Sequence, residues 1–135
     1  MNWRLIFLLS LLGLAMAIAT VFWIPENIEW VFWLVIFLVN AYFIAKYATG
    51  KYFWNGFMVS IFNCVYIVGL HVMFYATYMD NHPMMAKMGG NMPMHNHPRL
   101  GMILTGPLVG IALGLVQGLF AWLASKIIKR PEVAA

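Results

Sequence analysis

Residues 79–102 read MDNHPMMAKMGGNMPMHNHPRLGM and crowd metal-donor side chains into one stretch. Seven of the chain's eleven methionines stand here (Met79, Met84, Met85, Met88, Met92, Met94 and Met102), with three of its four histidines, His82, His95 and His97. Thioether sulfur is a soft donor that suits Cu(I), and imidazole suits copper in either oxidation state. Neither needs a deprotonated thiol, so both work where cysteines would oxidise. The stretch has no cysteine; Met84, Met88 and Met92 are spaced by four, and Met92/Met94 and His95/His97 by two. The candidate ligands for Cu(I) are therefore Met84, Met88, Met92, Met94, His95 and His97. The same residues also allow a plainer structure. Pro83 can open a helical turn that Gly89 or Gly90 stops, with Met84, Met85 and Met88 on one apolar face against the bilayer or a partner.

A second set of polar residues lies inside long apolar runs: Asn40, Asn63, Cys64, His71 and Gln117. Polar groups at membrane depth are costly and face the protein interior. Cys64 and His71 are seven apart, Tyr75 follows His71 by four and Met79 by eight, so a column leads from mid-membrane toward the methionine stretch. It serves either as a relay for a soft cation or as interhelical hydrogen bonding worth about 1 kcal/mol per contact. Asn63, His71 and Gln117 could alternatively line a small channel or carrier. Cys64 is the only cysteine, so no intrachain disulfide forms.

Enzymatic chemistry has little to work with. The four carboxylates are Glu26, Glu29, Asp80 and Glu132, and none sits deep in an apolar run. There is no CxxC and no glycine-rich phosphate loop. The expectation is a non-enzyme.

The elements that must position these residues are membrane spans. The 135 residues are 64% hydrophobic and 9% charged, against about 25% charged in soluble domains. A span needs about 20 apolar residues, and four runs qualify: about 5–23, 28–47, 52–78 and 100–128. Continuous runs in lipid predict helices. The expected fold is all-α, one domain over 1–135, with four transmembrane helices in an up-down bundle and an exoplasmic Met/His-rich loop at about 79–99. Pro25, Glu26 and Glu29 suit the start of the second helix. Arg4, Lys46, Lys51, Lys126, Lys129 and Arg130 flank one side and Lys87 and Arg99 the other, which places both termini in the cytoplasm. The net charge of +4 therefore sets orientation and does not serve nucleic-acid binding. Trp3, Trp23, Trp30, Trp33, Trp54 and Trp122 fall near span ends, where interfacial belts form. Arg4 followed by an apolar run and Ala15-Met16-Ala17-Ile18-Ala19 also has the outline of a secretory signal, but the run continues through Trp23, so the segment is expected to be retained.

Gly106, Gly110, Gly114 and Gly118 repeat every four residues on the last span, and Ala121 and Ser125 extend the small face. Such a face lets another backbone approach closely. It predicts packing inside the bundle, against Ser10, Gly13 and Ala17 of the first span, or an interface with another subunit. Pro107 either starts or kinks that helix. The methionine stretch resembles the methionine motifs of extracytoplasmic copper-handling proteins. The whole chain is similar to small four-span bacterial inner-membrane proteins, which implies the cytoplasmic membrane. Three functions follow: an accessory or scaffold subunit packing through the glycine face in a hetero- or homo-oligomer, a Cu(I)-handling protein using the loop, or a small channel or carrier.

Overall fold

The computed structural model describes residues 1–129; Arg130, counted above in the basic edge, and Glu132 lie outside the described residues. Within them the regular structure is helical: α1 Trp3–Phe22, α2 Glu26–Tyr47, α3 Tyr52–Met73, α4 Tyr75–Asn81, α5 Pro83–Gly90 and α6 Pro98–Ile127. α1, α2, α3 and α6 are each long and apolar enough to cross a membrane.

Local chemistry sets the helix ends. Asn2 caps α1, its Oδ1 accepting from the Leu5 N–H at 3.2 Å, and its own N–H donates to Asn55 Oδ1 at 2.9 Å, tying the start of α1 to the start of α3. Pro25 is the N-cap of α2, not a residue of its first turn, while Glu26 and Glu29 do occupy that turn. The connection from α2 to α3 turns through Gly50 at φ 151° and Lys51 at φ 50°, conformations that a glycine adopts without strain.

Two spans depart from expectation. The third ends at Met73 because Phe74 leaves helical geometry at ψ 38°. Hydrogen bonds reach the junction from both sides, from Phe74 N–H to Leu70 O and from Tyr78 N–H to Phe74 O, so the two helices share Phe74 as their common end. Nothing in the apolar run Phe74-Tyr75-Ala76 marks this point. The fourth starts at Pro98, where the missing N–H costs nothing, and runs through Pro107. Pro107 neither starts nor ends it, and deprives the Ile103 carbonyl of its intrahelical partner. The expected loop is largely helical, since α4 and α5 cover 75–81 and 83–90, leaving His82 and 91–97 non-helical.

The main seam lies between α3 and α6. A methyl group added at Gly118 would lie 2.8 Å from the Phe53 carbonyl oxygen, at Gly114 2.9 Å from the Phe57 ring, and at Gly110 2.5 Å from Cys64 Sγ; at Gly106 it would overlap Val68. The partner's numbers rise as the glycines' fall, so the two helices run antiparallel. The glycine face meets α3, where the sequence had proposed α1. On α1, Gly13 receives the Asn63 side chain of α3, and Asn63, with its amide nitrogen turned to the carbonyls of Ser10 and Val59, lies 3.2 Å from each. Ala121 continues the small face against Gly56, whereas Ser125 is only half-buried and bonds to its own helix at Trp122 O. The buried cluster Ile6, Leu9, Ile44, Val59 and Ala121 closes the opposite end from α4 and α5. Five tryptophans are exposed; Trp33 is not.

Asn40 is fully buried on α2 and neither atom of its amide has a hydrogen-bond partner among the described residues. Gln117 donates to Phe37 O at 3.2 Å.

Two stability predictions follow from this packing, both read by thermal unfolding in detergent. Gly118→Ala should destabilise by about 1–3 kcal/mol through overpacking, whereas Gly69→Ala, whose added methyl meets nothing within 4 Å, should be neutral or stabilising by up to about 1 kcal/mol. Asn40→Leu should stabilise by about 1–3 kcal/mol, because it removes an unsatisfied buried amide; a lowered melting temperature would contradict that.

Candidate functional site

The outer segment divides its donors. α5 buries no residue. Met84, Met88 and Met92 are 64%, 49% and 43% exposed; His95 and His97 are exposed and Met94 is half-buried. Met85, itself 38% exposed, and the half-buried Met102 also line a cavity of about 260 Å³ between α2, α3 and α6. α2 touches α6 through Phe37, which meets Phe120 edge-on. Beyond that contact the cavity opens, lined by Glu29 and Trp33 of α2, by His71, Cys64 and Asn63 of α3, and by apolar side chains of α6.

Two carboxylates hold the outer segment over this cavity. Glu26 accepts from the N–H groups of Met84 at 2.9 Å and Met85 at 3.3 Å, satisfying free donors at the start of α5 and its positive dipole end. Glu29 Oε2 lies 3.2 Å from Nε2 of His82, a fully buried ring, and Glu29 Oε1 accepts from Trp33 Nε1 at 3.1 Å. His82 Nδ1 lies 2.9 Å from the Tyr78 carbonyl, which can only accept, so Nδ1 donates.

His82, Tyr78 and His71 stack. Ring centroids are 4.2 Å apart for Tyr78 and His82 and 3.9 Å for His71 and Tyr78, with interplanar angles of 25° and 20°. Tyr78 lies past the end of the third span; burial first, then the carboxylates of Glu29 and Glu26, push its phenol well above the usual tyrosine range, so the ring stays neutral. His71 closes the stack, its Nε2 lying 3.1 Å from Thr20 Oγ1. Thr20 gives its hydroxyl proton to Ala17 O at 3.0 Å, so its oxygen accepts from His71. Nε2 therefore carries the ring proton and Nδ1 keeps a lone pair.

The column drawn from the sequence is partly rearranged. Cys64 and His71 line the cavity together, and Cys64 Sγ donates to Gly106 O at 3.3 Å. Tyr75 and Met79 do not line it: the bend at Phe74 brings Tyr78 onto His71, and Tyr75 lies under the Arg99 guanidinium at 5.5 Å. Gln117 lies apart from Asn63 and His71, bonded to α2, so these three do not line one conduit. Thr20, Glu29, Trp33, Tyr78 and His82 were missed as site residues. The spacing of His71, Tyr78 and His82 at i, i+7 and i+11 was a usable signal; the 53-residue separation of Glu29 and His82 offered none. Among the described residues no three His, Cys, Asp or Glu side chains gather as a metal cluster.

No protein-family model, curated protein or solved structure matches the chain.

A double-mutant cycle on Glu29→Ala and His82→Ala, read by unfolding free energy, should give a coupling of about 0.5–3 kcal/mol. Strict additivity would mean that the buried ring does not depend on the carboxylate.

Proposed function

We propose that the chain is a non-enzymatic integral protein of a bacterial cytoplasmic membrane that captures Cu(I) on its exoplasmic side. Its four long helices form an up-down bundle with both termini cytoplasmic, which leaves Arg4, Lys46, Lys51, Lys126 and Lys129 inside and α4, α5 and the following turn outside. The observation that carries the reading is the exposure of Met84, Met88, Met92, His95 and His97 after folding. The core of the bundle takes up none of these methionines. They remain free to meet a soft cation together with Met94. The reading as an accessory or scaffold subunit joined through Gly106, Gly110, Gly114 and Gly118 draws no support from that face, because α3 occupies it within the chain.

The test is an anaerobic Cu(I) competition titration on the detergent-purified protein and on a variant with Met84, Met88, Met92 and Met94 changed to leucine. Wild type should bind Cu(I) at submicromolar affinity, and the variant should lose at least one equivalent. Equal binding by the two proteins, or none by wild type, would overturn the assignment.

A further inference from the structure

We infer that His71, Met85 and Met102 form a second, inner site for a soft monovalent cation, with His71 Nδ1 and the two thioether sulfurs as its donors. The inference rests on the Cu(I) reading and extends it from the surface into the membrane.

Three observations converge. Each residue comes from a different element, α3, α5 and α6, and all three line the same cavity. The α3–α6 register places His71 and Met102 at one depth. Gly110 faces Cys64 and Gly106 faces Val68; one further turn outward along α6 is Met102, and one along α3 is His71–Val72. The imidazole is also prepared for the role. Thr20 holds Nε2, Tyr78 stacks on the ring face, and Nδ1 has no hydrogen bond among the described residues. An outer partner that fixes tautomer and ring orientation is how proteins ready a histidine ligand.

The donor set also selects the ion. One neutral imidazole and two thioethers favour Cu(I) or Ag(I) over Zn(II), Mg(II) or Ca(II), which seek anionic or oxygen ligands. Glu29 is the carboxylate among the described lining residues, placed to offset the charge of an ion in a mostly apolar cavity. Cys64 is not a ligand of the same ion. It lies seven residues down α3 from His71, about 10 Å at 1.5 Å per residue, and its S–H is engaged with Gly106 O.

The experiment uses the full chain with the four outer methionines replaced by leucine, so that the inner site is read alone. Anaerobic Cu(I) competition should find one remaining equivalent, and X-ray absorption at the copper edge should show sulfur with one nitrogen. Adding Met85→Leu and Met102→Leu, near-isosteric changes, should weaken that equivalent at least tenfold while thermal unfolding stays close to that of the parent. If the four-leucine protein binds no Cu(I) while wild type does, the inner site is wrong and surface capture stands. If the four-leucine protein keeps every wild-type equivalent and loses one with the two added changes, surface capture is wrong and the inner site stands. Undiminished binding after the two added changes overturns the inner site, and no binding by wild type overturns both.

Discussion

Close approach between α3 and α6 governs the rest of the molecule. Lipid supplies no hydrophobic drive between helices, so van der Waals contact must hold them. Four glycines at one-turn spacing on α6 let its backbone settle onto Phe53, Phe57, Cys64 and Val68. The same device recurs where Gly13 admits Asn63 and where Gly56 lies against the Gln117 carbonyl. With α3 clamped between α1 and α6, α2 is left to touch α6 around Phe37 and Gln117 and to part from it further out. The cavity is the space that this divergence leaves.

The outer end of that space is roofed by electrostatics, not by apolar packing. α5 buries nothing of its own, and its position depends on Glu26 at its N-terminal amides and on the Glu29–His82 pair just before it. A carboxylate against helix amides and a buried imidazole against a carboxylate are directional contacts. They fix Met85 at the edge of the cavity, which Met84 and Met88 do not line. One short helix thereby serves two environments.

Much of the architecture was legible because bilayer thickness is a strict ruler. Unbroken apolar runs marked the four long helices, and Pro83, Gly89 and Gly90 marked α5. The bend at Phe74 was not legible: the run stays apolar through Met79, and the turn is set by where Tyr78 and His82 find partners. The glycine face was visible on α6, but α1 and α3 both present small or yielding surfaces, and only assembled packing chooses between them. Donor types in 79–102 could be read directly. That Met85 lines the cavity and Met84 does not rests on the rotation of a two-turn helix, a difference of one residue. Trp33 looked like another belt tryptophan until Glu29 was seen to hold it.

The contacts of Glu26 and Glu29 also impose an order of assembly. Each reaches a partner 53 to 59 residues further along the chain. In N-to-C synthesis α1 and α2 are therefore made before His82, Met84 and Met85 exist, when Glu26 lacks these amide donors and Glu29 has Trp33 alone as partner. Contacts of such long sequence separation form late. The roof contacts thus become possible only once α5 has been made, and the cavity is complete only when α6, made after α5, supplies its remaining wall.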